Sequence, residues 1–384
     1  MPSFFFLKKK KKADDRTVGK ISLFFVSILA LQFMLFMLHF MIYETLASIF
    51  GFDSLFLAVV LGLLSLTFMS SSFLAAKADN LFVRIYYEFA AVWFSFVAPF
   101  CAACAAFVII ENLSPSAVWR ITPFTVGMFC FGAAIVVSLY GIWNSCRVRV
   151  THVAMSLPNV PDAWHGKRLV FFSDVHLGNI RRQGFARRIV KKVQTLDPAL
   201  VAICGDLFDG PKCDAEKLLA PFRDLRPSRG FYYVSGNHEY IRDQNVFFDA
   251  IQDAGIRILR NEKVDVDGID LVGVDWKDTA QKGNFAAILD GMHISSSRPS
   301  ILLKHVPKDL DVAERAGISL QLSGHTHRGQ FWPLSIATHY IYGGFDYGFH
   351  ELGKMFVYIS SGVGTAMLPF RLGTKAEIVS IEFK

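Results

Sequence analysis

Four long apolar stretches without charge constrain most strongly how this chain can fold. Between residues 21 and 143, only 8 of 123 positions are Asp, Glu, Lys or Arg. The uncharged stretches are Ile21–Tyr43, Leu55–Ala76, Phe89–Ile110 and Ile121–Trp143, of 22 or 23 residues each. A helix needs about 20 apolar residues to cross a bilayer, and a helix of a soluble protein is rarely apolar on all sides. The sequence therefore predicts four transmembrane helices within residues 21–146.

Basic residues around these stretches predict their orientation. The basic positions are Lys8–Lys12, Arg16 and Lys20 before the first stretch, Lys77 and Arg84 in the second loop, Arg120 in the third, and Arg147 and Arg149 after the fourth. The first loop has neither Lys nor Arg. Because cytoplasmic loops carry the excess of Lys and Arg, we expect a multi-pass protein of the inner membrane with both termini in the cytoplasm. The basic segment at residues 1–20 either contacts anionic lipid headgroups or only sets the topology.

The remainder of the chain, residues 150–384, has the mixed composition of a globular domain. From residue 150 on, the chain contains 28 Lys and Arg against 26 Asp and Glu, a net charge of +2, whereas residues 1–149 carry +5 of the total of +7. A nucleic-acid-binding domain usually presents a strongly basic surface. We therefore expect no nucleic-acid partner, and the sequence does not indicate an oligomeric state.

Short β-rich runs alternate with helical patterns from Lys167 on. The predicted strands are Leu169–Ser173, Leu200–Cys204, Phe231–Ser235, Leu271–Val274, Ile301–Lys304, Ile318–Leu322 and Met355–Ser360. Arg181–Leu196, between the first two of them, is predicted to be a helix. This alternation is typical of an α/β fold with sheets covered by helices.

Polar side chains of a restricted chemistry follow five of these strands. The motifs are Asp174-x-His176, Gly205-Asp206-x-x-Asp209, Gly236-Asn237-His238-Glu239, His305 and Gly324-His325-x-His327. In α/β folds the ligand site lies at the carboxyl ends of the strands. Carboxylate, amide and imidazole ligands without thiolate suit Mn, Fe or Zn, and their number suits two ions better than one. The alternative, that these Asp and Asn residues only form turns, does not explain five such loops in order.

This ordered set of motifs resembles the calcineurin-like metallophosphoesterase superfamily over about residues 167–384. The resemblance implies a β-sandwich flanked by helices, here preceded by four transmembrane helices. The apolar stretches and the tail Ser361–Arg371 look like the membrane-associated bacterial branch. That branch is similar to enzymes that cleave the pyrophosphate of UDP-diacylglucosamine, so the implied substrate is phosphorylated or lipid-linked, with membrane lipids as partners.

The resemblance also implies a role for each residue of the motifs. Asp174, His176 and His327 would bind one divalent ion. Asn237, His305 and His325 would bind the second, and Asp206 would bridge the two. His238 would bind no metal; it would protonate the leaving oxygen or hold the phosphate, oriented by Asp209.

Two positions depart from the family pattern. Ser361 stands where an Arg is frequent, and Arg328 stands where a Gly is usual after the H-x-H motif. Arg371 could contact a phosphate or a lipid headgroup, or form a surface salt bridge. Two other functions stay open: hydrolysis of a soluble nucleotide or ester with an incidental anchor, and a membrane sensor or transporter whose soluble domain only regulates.

Overall fold

The structure, a computed structural model, describes most of the chain. The described residues are 15–51, 53–113, 122–210, 213–241, 244–281, 283–295 and 297–384, with side chains from Val26 on. The basic cluster Lys8–Lys12 lies outside the described residues, as does Arg120 of the third predicted loop, and the side chains of Arg16 and Lys20 lie outside them too.

Four long helices cover the four apolar stretches. They are α1 (Asp15–Phe50), α2 (Leu55–Lys77), α3 (Leu81–Leu113) and α4 (Pro123–Cys146). Each is long and apolar enough to cross a membrane. Ser54 and Thr122 cap α2 and α4 by accepting the backbone N–H of Leu57 and Thr125 at 3.2 Å. The prediction of four candidate membrane-spanning helices is confirmed.

Polar contacts join these helices within their apolar surroundings. Gln32 Nε2 on α1 donates to the Ser65 carbonyl on α2 at 3.1 Å. Trp93 Nε1 on α3 donates to His39 Nε2 on α1 at 2.9 Å. Because lipid offers no competing partners, hydrogen bonds of this kind hold apolar helices in register.

Twelve strands follow in the described part of the chain. Their bounds are β1 Val148–Met155, β2 Arg168–Phe172, β3 Leu200–Cys204, β4 Phe231–Val234, β5 Arg257–Ile258, β6 Glu262–Val266, β7 Ile269–Gly273, β8 Ser300–Leu303, β9 Leu320–Ser323, β10 Gly348–Leu352, β11 Met355–Ile359 and β12 Ala376–Phe383. All seven predicted strands overlap an observed one. Strand β1 starts two residues before the predicted start of the soluble domain at residue 150.

The strands form two six-stranded sheets with parallel centres. The first sheet has the order β1-β12-β2-β3-β4-β5, and the second has the order β10-β11-β9-β8-β7-β6. Strands β2 to β5 are mutually parallel, and so are β7, β8, β9 and β11. The carboxyl ends of the parallel strands in each sheet therefore lie at one edge, where their loops meet.

Helices cover the outer faces of both sheets. They are Gln183–Gln194, Ala215–Leu219, Gln244–Asp253, Asn284–Gly291 and Leu310–Arg315. Two further helices, Trp276–Thr279 and Leu334–Ile341, have no buried residues. Leu169 and Phe171 of β2 point into a core shared by the two sheets, whereas Val170 and Phe172 point toward the helices. Both faces of β2 are thus buried, which explains its continuous apolar run. The α/β prediction, with paired sheets flanked by helices, is confirmed.

The last apolar helix joins the first sheet directly. Helix α4 ends at Cys146, and β1 begins at Val148 and pairs in parallel with the final strand β12. Asn144 Nδ2 donates to the carbonyls of Arg371 and Thr374 at 3.0 and 2.9 Å. The membrane-side helices and the α/β part are therefore linked by buried hydrogen bonds as well as by the chain.

Candidate metal centre

All nine predicted site residues lie in loops at the carboxyl ends of parallel strands. Asp174 and His176 follow β2, Asp206 and Asp209 follow β3, Asn237 and His238 follow β4, His305 follows β8, and His325 and His327 follow β9. Three of these strands belong to the first sheet and two to the second. The site therefore spans the edge where the two sheets meet.

Five of the predicted ligands adopt a left-handed backbone conformation. The φ angles are 54° for Asp174, 51° for His176, 50° for Asp206, 71° for His325 and 49° for His327. Non-glycine residues in this region cost about 1–3 kcal/mol each and cluster at functional sites. The left-handed conformation turns the backbone sharply at the end of each strand, so that the five side chains point toward one another.

Two glycines allow the loops to approach each other closely. A Cβ atom on Gly236 would collide with Asp206 Oδ1, and one on Gly324 would collide with Asp174 Oδ2. Both glycines therefore leave room for a neighbouring carboxylate.

One group of possible ligands consists of Asp174, His176 and His327, all buried. One ligand atom from each lies within 4.8 Å of the others. His176 Nε2 lies 3.1 Å from His327 Nε2, which lies 3.5 Å from Asp174 Oδ1. Burial lowers the pKa of His176 to about 4 and that of His327 well below its usual value. Both imidazoles are therefore neutral at pH 7, the form that binds metal ions.

A second group consists of Asp206, His305 and His325, with Asn237 beside it. One ligand atom from each of the first three lies within 4.8 Å of the others. His305 Nε2 lies 3.2 Å from Asn237 Oδ1, 3.2 Å from Asp206 Oδ2 and 3.2 Å from His325 Nδ1. These two groups match the two ligand sets that the family resemblance implies. A third group, His176, Asp206 and His238, also has ligand atoms within 4.8 Å of one another.

Asp206 lies between the two groups. Its Oδ2 atom is 4.0 Å from His176 Nε2 on one side and 3.2 Å from His305 Nε2 on the other. The carboxyl is buried, and the neighbouring imidazoles hold its pKa well below the usual range despite that burial. A single carboxylate thus faces both sets of ligands.

His305 shows how well the centre suits cations. Its Nδ1 donates to the Cys204 carbonyl at 2.7 Å, which leaves Nε2 toward the centre. Burial alone would lower the pKa of His305, but the carboxylate of Asp206 outweighs burial and raises it to about 9. A positive charge is therefore favoured where Nε2 meets two oxygens, and a divalent ion satisfies that requirement. His176 Nδ1 is buried without a hydrogen-bond partner, so this ring is held by packing.

His238 and Asp209 form a separate pair beside the centre. His238 Nδ1 lies 3.4 Å from Asp209 Oδ1, and His238 Nε2 lies 3.9 Å from Asp206 Oδ2. Burial would lower the pKa of His238, but the carboxylates of Asp209 and Asp206 raise it to about 9. The ring is therefore protonated at neutral pH and directed toward the centre.

Sequence reasoning gave no role to Glu239, which organises two of the loops. Its buried carboxylate accepts the backbone N–H of Asp206 at 3.2 Å, of Leu207 at 2.8 Å and of Gly236 at 2.8 Å. Glu239 was visible in the sequence as the last residue of the Gly236–Glu239 motif. A buried acid next to a turn can be recognised as a loop anchor only when its backbone partners are known.

Arg371 has neither of the roles that the sequence suggested, which were contact with a phosphate or lipid headgroup and a surface salt bridge. The side chain is fully buried and donates to the carbonyls of Ser361, Gly362 and Gly364 at 2.7, 3.1 and 2.7 Å. Its Nη2 lies 3.5 Å from His327 Nδ1. Arg371 therefore neither reaches a substrate nor forms a surface salt bridge; it fixes the loop behind His327. Arg328, one of the two residues that depart from the family pattern, stacks on the Tyr347 ring at 4.6 Å.

Comparisons with known proteins agree with this geometry. Residues 167–329 match the family described as calcineurin-like phosphoesterase. A metallophosphoesterase of Campylobacter jejuni, named as uncharacterized, is 30% identical over 256 residues, which cover 65% of this chain and 68% of that protein. The chain belongs to the calcineurin-like phosphoesterase family. The matched residues of the family contain every predicted ligand and the His238–Asp209 pair.

Relatives of this phosphoesterase also include vertebrate proteins. Those of cattle and zebrafish are named transmembrane protein with metallophosphoesterase domain. They are 33% and 31% identical over 267 and 265 residues, which cover 64% and 65% of this chain. The alignments span 60% of each of those relatives. The names and the four apolar helices support a membrane protein.

Proposed function

We propose that this protein is a membrane-anchored phosphoesterase that uses two divalent ions to hydrolyse a phosphodiester or pyrophosphate bond. The observation that carries the proposal is the position of Asp206 between two groups of possible ligands, most of them buried. Asp174, His176 and His327 would hold one ion, and Asn237, His305 and His325 would hold the other. Asp206 lies between the two sets of ligands and would serve both.

The chemistry divides between the ions and the protein. When bound, the ions would supply a water of lowered pKa and positive charge for the phosphoryl oxygens. His238 acts as the general acid, held by Asp209. The water oxygen forms the new bond to phosphorus, the bond to the leaving oxygen breaks, and that oxygen takes the proton of His238. The proton released by the water restores the imidazolium.

The substrate class that we favour is a lipid-linked phosphoester or pyrophosphate, of which UDP-diacylglucosamine is an example. Support comes from the junction between α4 and the first sheet, which ties the catalytic loops to the membrane-side helices. We place the catalytic part, from Val148 on, at the cytoplasmic face of the inner membrane. The basic residues Lys77, Arg84 and Arg147 support that orientation.

A soluble nucleotide or phosphoester is the second candidate. A cavity of about 280 Å³ adjoins His325 and is lined by Trp276, Lys304 and Lys308 among others. It has room for a small anionic group. A purely regulatory soluble part has less support, because its ligand set would have no reason to remain complete.

Substitution of Asp206 tests the metal centre directly. We expect Asp206→Asn to lose hydrolysis of bis(p-nitrophenyl) phosphate and to lower the metal content of the purified full-length chain, because an amide bridges two cations poorly. Asp267→Asn is the matched control: Asp267 has a similar φ of 48° but lies on the surface, paired with Arg229. Near-normal turnover with two ions retained in Asp206→Asn would overturn the bridging role.

A further inference from the structure

Helix Leu334–Ile341 presents four large apolar side chains to the outside, and none of its residues is buried. Leu334, Ile336, Tyr340 and Ile341 are 49%, 48%, 79% and 70% exposed. At about 100° per residue they fall on one side of the helix, and Ser335, Thr338 and His339 fall on the other. The His339 side chain is 61% exposed, and its Nδ1 lies 2.9 Å from Asp346 Oδ1. A helix on a soluble surface shows the reverse arrangement, so this face fits an apolar environment.

The residues just before this helix connect it to the apolar helices. The Phe331 ring packs edge-on against the Phe370 ring at 5.5 Å. Phe370 belongs to a cluster that also contains Leu35, Phe68 and Ala91 from three of those helices. Trp332, the next residue after Phe331, donates its backbone N–H to the Leu372 carbonyl at 3.0 Å, and the residue is 60% exposed. The exposed helix therefore begins beside the membrane-side bundle.

The other end of the helix reaches the metal centre. The Tyr342 ring, directly after the helix, lies 6.3 Å from the His325 ring. Thr326, between the two histidines of the H-x-H motif, donates to the Asp346 carbonyl at 2.6 Å. A single short segment thus connects the bundle to one of the two groups of ligands.

We propose that helix Leu334–Ile341 lies in the headgroup region of the bilayer and guides a membrane-borne phosphoester to His325. Continuity with the bundle favours lipid as the occupant over a soluble partner or a second copy of the chain. Trp332 and Tyr340 have the amphipathic rings that concentrate at membrane interfaces. An apolar helix face at such an interface inserts about 5–10 Å. The guiding role rests on the proposed function, whereas the membrane location does not.

Tryptophan quenching tests the location without any hydrolysis. The full-length chain is placed in vesicles of phosphatidylethanolamine and phosphatidylglycerol with brominated acyl chains, and Trp332→Phe is compared with two identical substitutions. Trp143 on α4 is exposed on the bundle surface, whereas Trp164 is buried in the core shared by the sheets. We expect Trp332→Phe to remove quenchable fluorescence, as Trp143→Phe does. If Trp332→Phe instead lowers only the fluorescence that brominated lipid does not quench, as we expect for Trp164→Phe, the proposal is overturned.

The guiding role is tested with two substrates that release the same chromophore. One is bis(p-nitrophenyl) phosphate in solution, and the other is a p-nitrophenyl phosphodiester of diacylglycerol in the vesicles. We expect Ile341→Asp to lower the ratio of lipid to soluble activity about ten-fold or more, since a charge opposes insertion of the apolar face. Val246→Asp is the control, because Val246 is also apolar and 58% exposed but lies on another helix. Equal ratios in both variants would overturn the guiding role.

Discussion

The surroundings of His238 define one chemical role. The ring is paired with Asp209, faces Asp206, and keeps its proton at neutral pH because both carboxylates raise its pKa to about 9. It also lies within ligand distance of His176 and Asp206, but the family resemblance assigns it no metal. A protonated imidazole next to a dinuclear centre suits proton donation to a leaving oxygen.

Replacement of His238 therefore separates catalysis from metal binding. We expect His238→Ala to retain both ions and to lower kcat about 100-fold for an alkyl leaving group, in the range for lost general acid catalysis. The loss should be smaller for p-nitrophenol, which leaves without a proton. His152→Ala, at an exposed histidine of β1, is the control. Equal losses for both leaving groups would argue against the acid role.

At the scale of elements, the junction between α4 and the first sheet connects the bundle to the catalytic loops. Asn144 holds the carbonyls of Arg371 and Thr374, and the Arg371 side chain holds the loop behind His327. Ser145 Oγ donates to the Pro369 carbonyl at 2.9 Å. The end of α4 therefore supports one side of the metal centre.

A single substitution measures that support. We expect Asn144→Ala to destabilise the full-length chain in detergent by about 1–3 kcal/mol, because two buried carbonyls lose their donor. The readout is the Tm of the α/β part. Asn112→Ala is the matched control, since Asn112 is exposed and, among the described residues, its Nδ2 donates within its own helix, to the Val108 carbonyl at 2.7 Å. If both variants lower Tm equally, the junction contributes nothing specific.

The strands flanking the site were predictable from sequence, and the strands at the junction were not. Leu169–Ser173 and Leu200–Cys204 are apolar runs followed at once by ligand residues, so both their type and their position were visible. Strand Val148–Met155 directly follows the fourth apolar helix. In the sequence, its start looks like the basic flank of a transmembrane helix because of Arg147 and Arg149. Its pairing with Ala376–Phe383 joins positions more than 220 residues apart, and local pattern does not encode such a contact.

The roles of some side chains were also predictable from sequence, and the roles of others were not. The ligands could be identified because their chemistry and order along the chain are unusual. The carbonyls of Ser361, Gly362 and Gly364 converge on Arg371 only through the folded loop. A buried arginine with backbone partners is therefore invisible in sequence, where it resembles any cationic surface residue.

At the scale of the whole molecule, the loop between α2 and α3 lies on the same side of the bundle as the α/β part. Asp79 and Arg84 line a cavity together with Asn179, Arg182 and Asp214. The predicted cytoplasmic basic loop and the metal centre thus share one side.

Reporter fusions test the orientation. We expect a fluorescent protein fused after Lys384 to fluoresce and alkaline phosphatase at the same position to be inactive, because the basic loops predict a cytoplasmic carboxyl terminus. Alkaline phosphatase fused after Gly51, between α1 and α2, should be active. The opposite pattern at the two positions would move the metal centre to the periplasmic side.

The central claim is that the buried ligands hold two ions that the reaction requires. The most direct measurement is the metal content of the full-length chain, followed with its hydrolysis of bis(p-nitrophenyl) phosphate as Mn²⁺ is removed by a chelator and returned. We predict two ions per chain at saturation, loss of hydrolysis on removal, and recovery as the second ion is restored. Undiminished hydrolysis by the metal-free chain, or none with two ions bound, would contradict the account.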